Sequence, residues 1–262
     1  MLVSGYVSAP TNAAVTVNGV VTHLDDRGFF QANDVPLSPG SNEIVAVVTT
    51  QDGQAVTKSV TVESSGPGLF KVQAAPTEGI ETLQVRFSLE NPQNVSFKQA
   101  FLDFDGDGYP NLIVDPSQFR DGKLAVLATY PVGTWLATIT FYDEQDRVIY
   151  RTHKSIVVLL PELFQGNVRA IYENMLLRLR AGNIAGALTA FTGSAQERFN
   201  DIFTQLQPDL ATIIYQLGTI TEITFNLDMA ELTLVRTGVD GSQKFMIYLI
   251  RSEDGIWRSD GM

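Results

Sequence analysis

Cysteine is absent from the 262 residues, and only two histidines occur, His23 and His153. Without thiols there are no disulfide scaffolds, thiolate zinc sites or cysteine nucleophiles. Neither histidine accompanies a Gly-x-Ser-x-Gly nucleophile elbow, so a serine–histidine triad has no support, nor does a histidine-built metal site. The chain lacks both a Gly-x-Gly-x-x-Gly run and a Walker-type Gly-Lys-Ser/Thr, the two common phosphate cradles. No window holds 18 uninterrupted apolar residues, the minimum for a helix that spans a bilayer. Charged residues make up only 18% of the chain, too few for a disordered polyelectrolyte. Basic residues are scarce, 18 against 29 acidic, and the net charge of −11 divides into −4, −3 and −4 over residues 1–64, 65–158 and 159–262. No segment offers a basic patch. An evenly acidic surface repels phosphate backbones and anionic lipid, which argues against nucleic-acid binding and adhesion to anionic lipid, while the lack of a long apolar run argues against membrane insertion.

Two breaks in pattern organise what is present. Glu63-Ser64-Ser65-Gly66-Pro67-Gly68 has the small, polar, Gly/Pro-rich composition of a linker. Around Leu159-Leu160-Pro161-Glu162 the apolar period changes from two to 3.6 residues. The expected domains are therefore 1–64, 67–158 and 159–262.

In the first segment short alternating runs are separated by turn signals. Val15 and Val17 precede Asn18-Gly19; Ile44, Ala46 and Val48 precede Gln51-Asp52-Gly53; Val60 and Val62 follow. Such spacing predicts a β-sandwich. The stretches Val3-Ser4-Gly5-Tyr6-Val7, Val15-Thr16-Val17-Asn18-Gly19, Gly28-Phe29-Phe30 and Leu37-Ser38-Pro39-Gly40-Ser41-Asn42-Glu43-Ile44 resemble the bacterial Ig-like repeats of surface and secreted proteins. In the second segment Leu83, Val85, Phe87 and Leu89 alternate, as do Trp135, Ala137, Ile139 and Phe141. Phe104-Asp105-Gly106-Asp107-Gly108 and Tyr130-Pro131-Val132-Gly133-Thr134-Trp135 resemble the two hallmark stretches of polycystic-kidney-disease (PKD) type domains, with extra Asp residues in the first and no Trp before it.

The third segment opens with a helical stripe of Phe164, Val168, Ile171, Met175 and Leu179. Shorter stripes follow, then strand-like runs at 220–225, 230–236, 245–251 and 256–258. Helices followed by antiparallel strands predict an α+β layer. That order, with Leu179-Arg180-Ala181-Gly182-Asn183-Ile184 and the closing Asp254-Gly255-Ile256-Trp257-Arg258, resembles the nuclear transport factor 2-like (cystatin-like) superfamily. The expected fold class is thus two all-β Ig-like sandwiches followed by an α+β cone, helices packed on a curved antiparallel sheet. The resemblances imply a secreted, periplasmic or cell-surface setting. The opening Met1-Leu2-Val3-Ser4-Gly5 has no secretory-leader pattern, so the leader is expected to be absent from this chain.

The sharpest local motif is Asp103-Phe104-Asp105-Gly106-Asp107-Gly108-Tyr109-Pro110-Asn111. Oxygen side chains at positions 1, 3, 5 and 9 with Gly at 6 reproduce the first part of an EF-hand-type loop. Three carboxylates this close repel one another unless a divalent cation sits among them. The candidate calcium ligands are Asp103, Asp105, Asp107, Tyr109 through its carbonyl, Asn111 and Asp115, which falls one place beyond the usual twelfth position. The alternative is a solvated acidic turn.

In the third segment Glu162, Glu173, Asp201, Asp209 and Asp228 are candidate acids, none paired by spacing with a second catalytic group. Tyr172, Tyr215, Tyr248 and Trp257 are candidate ligand contacts in the cone, among apolar Phe164, Met175, Phe203, Phe225 and Phe245, which otherwise simply fill a core. Trp135 and Trp257 are the candidate sugar-stacking residues. The expected function is non-catalytic: spacing, adhesion, or binding of a protein or glycan, with a homodimer through the C-terminal sheet. A small-molecule binder or enzyme using the cone and a carbohydrate-binding accessory module are the alternatives.

Overall fold

The computed structural model describes residues 1–25, 27–66, 68–238 and 241–261. Pro67, the expected first residue of the second segment, lies outside them. The protein is mostly β, with four sheets and a few helices among the described residues.

Strands β1 (Val3–Tyr6), β2 (Ala14–Val17), β3 (Val20–Leu24), β4 (Phe29–Ala32), β5 (Gly40–Thr49) and β6 (Ala55–Ser64) form one sheet in the order β1-β4-β3-β2-β5-β6. β2 lies between β3 and β5 and links all six strands into one ladder. The Val15 and Val17 side chains are fully buried, as their alternation predicts. Val60 is not: β6 is an edge strand, and 60% of Val60 is exposed. The described chain divides into two compact units, one of Met1–Tyr6, Val17–Ala46 and Lys58–Leu160, the other of Val7–Thr16, Val47–Thr57 and Pro161–Met262.

The first unit contains a sandwich built from β7 (Lys71–Ala75), β8 (Glu78–Ile80), β9 (Leu83–Glu90), β10 (Gln99–Asp103), β11 (Leu112–Val114), β12 (Lys123–Tyr130), β13 (Gly133–Tyr142) and β14 (Val148–Leu159). Five strands in the order β11-β10-β13-β14-β8 face three in the order β12-β9-β7. Alternation sorts each strand into an inner and an outer face. Val85, Phe87 and Leu89 point inward with Ala137, Ile139 and Phe141, all fully buried. Leu136, on the opposite face of β13, is 40% exposed. Trp135 packs only partly against this core and donates its Nε1–H to the Pro131 carbonyl at 3.0 Å. In the same unit, Asn33 pairs its amide with both backbone groups of Ser155, at 2.7 and 2.9 Å. Beside it the buried Lys154 ammonium meets the Asp34 carboxylate.

In the second unit, α1 (Pro161–Arg180), α2 (Ile184–Leu188), α3 (Gly193–Gln205) and α4 (Leu210–Tyr215) precede β15 (Thr219–Phe225), β16 (Met229–Gly238), β17 (Gly241–Arg251) and β18 (Trp257–Gly261). The strands form an antiparallel meander. Val168, Ile171, Met175 and Leu179 of α1 bury as the stripe predicts, against Ala230, Leu232, Leu234, Ile247 and Leu249 of the sheet. Phe164 lies at the margin, stacked on Phe225 at 4.7 Å and edge-on to Trp257 at 5.4 Å. Phe245, expected inside, is 44% exposed.

The free edge of β18 is covered by two devices, which removes a template for unwanted strand pairing. Ser259 exchanges backbone hydrogen bonds with Ala190 and Thr192. Asn12 does the same for Trp257 with its side chain: Nδ2 donates to the Trp257 carbonyl and Oδ1 accepts the Trp257 N–H, both at 2.9 Å. Replacing Asn12 by Ala orphans both backbone groups and is expected to cost the unit about 1–3 kcal/mol. Urea unfolding followed by Trp257 fluorescence measures it; a loss below about 0.5 kcal/mol would show that water replaces the amide.

Candidate functional site

The Asp-rich motif forms the tip of the β10–β11 hairpin. Its entry is set by register: Asp103 closes β10 opposite Thr138, and Leu102 pairs with Leu112 on the return strand. Backbone donors fold inward onto the carboxylates. Asp103 accepts the Gly106 N–H at 2.7 Å and the Gly108 N–H at 2.9 Å on its two oxygens. Asp107 accepts the Tyr109 N–H at 2.8 Å. Gly106 is required at its place: φ is +77°, and a Cβ there would sit 2.9 Å from the Leu136 carbonyl oxygen. Carboxylate oxygens of Asp103, Asp105 and Asp107 lie within 4.8 Å of one another. Among the described residues, none of the three makes an ion pair with Lys, Arg or His.

The other three candidates in this loop have different duties. Asn111 staples it shut, Oδ1 accepting the Phe104 N–H at 2.5 Å and Nδ2 donating to Asp105 at 3.4 Å. Partial desolvation pushes the Asp105 carboxyl up, but the hydrogen bonds from Asn111 and the Asp107 N–H outweigh it and hold the pKa below the usual carboxylate value. Tyr109 projects outward, 75% exposed. Asp115 does not join the cluster, a correction to the expected ligand set. Its carboxylate caps the 3-10 turn Pro116–Gln118, accepting the Ser117 hydroxyl and N–H, and these bonds lower its pKa. A cap residue belongs to the turn that it starts.

An aromatic chain leads from Phe104 to a residue that spacing did not single out as a site group. Tyr130 ends β12 with only 3% of its surface exposed, and its hydroxyl has no hydrogen-bond partner among the described residues. Its ring neighbours Trp135 at 6.1 Å and Phe87 at 6.4 Å, and Phe87 in turn contacts Phe104, the residue after Asp103, at 5.1 Å. Burial raises the phenol pKa above its ordinary value, and the negative charges of Asp105 and Asp103 raise it further.

No family model matches the sequence, and no curated protein matches it. Solved structures similar to it include the fibronectin(III)-like modules of Clostridium thermocellum CbhA, at 14% identity and a TM-score of 0.25, covering 62% of this chain and 87% of that one. A second is the Bacteroides ovatus mixed-linkage glucan utilization locus protein SGBP-B in complex with a mixed-linkage heptasaccharide, at 13% identity and a TM-score of 0.20. It covers 61% of this chain, which spans 41% of that protein. A third is the sialic acid binding region of a Streptococcus sanguinis adhesin, at 10% identity and a TM-score of 0.25, covering 86% of this chain and 58% of its own.

The cone candidates do not converge. Tyr172 is buried on α1; its hydroxyl has no hydrogen-bond partner among the described residues, and desolvation pushes its pKa up to about 12. Tyr215 is 75% exposed, with the Arg180 guanidinium over its ring at 4.5 Å. Tyr248 faces outward beside Glu231, its cross-strand partner, which raises the phenol pKa by accepting its hydrogen bond. Trp257 closes the margin with Phe164. Because side chains alternate along β17, burying Ile247 and Leu249 forces Tyr248 to the other face. Glu162, Glu173, Asp201, Asp209 and Asp228 are all exposed.

The sequence-nominated sugar platforms are half-buried, Trp135 and Trp257 both packing against cores. A better-exposed aromatic pair lies elsewhere. Tyr6 on β1 is 78% exposed and meets Phe29 of β4 at 4.9 Å between ring centroids. Next to Phe29 stands an Asp25–Arg27 ion pair at 3.1 Å, with Asp25 also accepting the Phe29 N–H at 2.7 Å. In the sequence both rings sit in ordinary strand context, and only the β1–β4 register brings Tyr6 opposite Phe29.

No helix among the described residues is long and apolar enough to cross a membrane.

Proposed function

We infer that this chain is a non-catalytic modular protein of the bacterial cell surface or secreted fraction, which spaces, adheres and binds a glycan or protein. Its three segments, 1–64, 67–158 and 159–262, act as Ig-like, PKD-like and nuclear transport factor 2-like modules. The observation that carries the non-catalytic reading is the placement of acids in the helical unit. All five candidate carboxylates are on the surface, while the interior between α1 and the sheet is filled by apolar side chains. A general acid or base needs shielding from water to be tuned and poised, and these groups are solvated.

For the partner, the Tyr6–Phe29 ledge favours a glycan. A pyranose presents C–H faces that stack on an exposed ring, and the adjacent Asp25–Arg27 pair supplies hydroxyl partners. The full chain is tested on a glycan array, followed by titration of the best ligand. Saturable binding weakened about tenfold by Tyr6→Ala, near 1.4 kcal/mol, supports this reading. Absence of binding to any glycan, or binding indifferent to Tyr6→Ala, removes the ledge. Chemical conversion of a bound compound, abolished by substituting one of the unit's carboxylates, overturns the non-catalytic reading.

A further inference from the structure

We propose that the outer face of the five-stranded sheet binds a hexuronic acid residue of a sparsely charged glycan, its ring against Phe101 and Tyr142 and its carboxylate on Arg151. The site shares no residue with the Tyr6–Phe29 ledge. Strand register assembles it: Phe101 on β10 stands opposite Thr140 on β13, and Thr140 stands opposite Arg151 on β14. Phe101 and Tyr142 meet at 4.8 Å between ring centroids. Both are half-buried, yet neither belongs to the sandwich core, because Ala100, Leu102 and Phe141 take the inward positions beside them. The two rings rest on each other on the outside of the sheet, with exposed Ile113 and Val148 as their ladder neighbours. Further along this face Gln31 accepts the Ser155 hydroxyl at 2.6 Å and so covers β14 there, whereas Arg151 and His153 are exposed.

The second observation is the state of Arg151. Its Nε donates to the Thr140 hydroxyl at 3.2 Å, and Thr140 is itself buried. That bond draws the guanidinium over β13, one strand spacing of about 4.8 Å from the Phe101 row. It leaves the two terminal nitrogens, which grip a carboxylate as a fork, for a ligand. Arg151 makes no ion pair among the described residues, whereas Arg147 and Lys154 on either side of it are paired with Asp143 and Asp34. A pyranose ring is about as wide as one strand spacing, so a sugar stacked on the rings carries its C5 carboxylate to the guanidinium. Gln99, opposite Tyr142, and His153, whose Nδ1 meets the Thr138 hydroxyl at 2.9 Å, offer partners for sugar hydroxyls. Strands β10, β13 and β14 are each paired on both sides, so this face has no free backbone edge for an extended peptide. The net charge of −11 disfavours a densely anionic polymer and suits isolated acids among neutral sugars.

The test presents the full chain with an array of oligosaccharides carrying one glucuronic or galacturonic acid, each beside its carboxyl-reduced form, and then titrates the strongest pair by calorimetry. The acid form is expected to bind roughly thirtyfold more tightly than the reduced form, the scale of a charge-assisted fork. Arg151→Gln should abolish that preference and leave the reduced form's affinity unchanged. Arg151→Lys should recover only part of it, because an ammonium lacks the fork. Tyr142→Ala should weaken both forms alike, about fivefold, through lost stacking. Tyr6→Ala should leave the acid's affinity as it is, so failure of the ledge and failure of this face are told apart. Equal binding of acid and reduced forms, no binding of either, or a preference that survives Arg151→Gln would overturn the site. Loss of the acid's binding in Tyr6→Ala would place the acid at the ledge and overturn it too. Full recovery by Arg151→Lys would overturn the fork. An acetylated, glutamate-containing hexapeptide that binds more tightly than every acidic sugar and depends on Arg151 would overturn the glycan and assign the face to a protein.

Discussion

Phe141→Ala is expected to destabilise the first unit by about 5 kcal/mol, at the upper end of the range for buried phenylalanine. The side chain is fully buried and stacks on Phe70 at 3.8 Å, with an interplanar angle of 14°. Phe97 and Tyr150 meet it edge-on, at 5.3 and 6.0 Å. Truncation removes the transfer energy of the ring, leaves a cavity between two sheets that cannot close on each other, and forfeits three aromatic contacts worth about 0.5–1.5 kcal/mol each. Leu136→Ala, on the exposed face of the same strand, should cost under about 1 kcal/mol. Denaturant unfolding read by Trp135 fluorescence in a Trp257→Phe background isolates this unit. A loss below about 2 kcal/mol for Phe141→Ala would mean that the ring cluster is loosely packed.

In the second unit the largest single effect is expected at Gly218. It joins α4 to β15 with φ at +96°, and an added Cβ would lie 2.5 Å from the Val235 oxygen, 2.7 Å from its carbonyl carbon and 3.0 Å from the Arg236 nitrogen. All three obstacles are backbone atoms of β16, held in register by the Thr219–Val235 pairing. No side chain can rotate away to relieve the clash. Strained backbone together with forced displacement puts the cost of Gly218→Ala at roughly 3 kcal/mol. Gly166→Ala provides a control of opposite sign. It lies within α1 with nothing within 4 Å of the added carbon, so the substitution should stabilise by about 0.5–1 kcal/mol through helix propensity. Both are read by Trp257 fluorescence in a Trp135→Phe background. Equal and small effects at the two glycines would contradict the close approach of the α4–β15 connection to β16.

Several features of the fold were legible because they depend on near neighbours in the chain. Alternation along β13 assigns Ala137, Ile139 and Phe141 to one face before any partner strand is known. The stripe on α1 assigns Val168, Ile171, Met175 and Leu179 to the core in the same way. The Asp-rich loop was visible for a related reason: its carboxylates all come from one short turn, and Asp103, Asp105 and Asp107 do cluster. Asp115 marks where that logic stops. Whether a carboxylate twelve places further along turns back to the loop or caps the next turn depends on the path of β11, and here it caps. Tyr215 and Tyr248 failed as pocket residues for a similar reason. A polar aromatic near an apolar stripe can lie on either side of its element, and burial of its neighbours decides the side.

By itself, then, the sequence determined which residues share the inner face of β13 and of α1, and where an oxygen-rich turn would form. Steric alternation and helical periodicity make those properties local. Tertiary structure alone decided that Asn12 would close an edge 245 positions away at Trp257, that Asn33 would seat on Ser155, and that Tyr6 would stand beside Phe29. It also decided that the Tyr130 hydroxyl would be buried without a protein acceptor among the described residues. Such pairings depend on strand register and on which sheet edges are left open, and a backbone edge presents the same N–H and C=O groups whatever its side chains are. No pattern of residue types can therefore announce which distant amide will meet it.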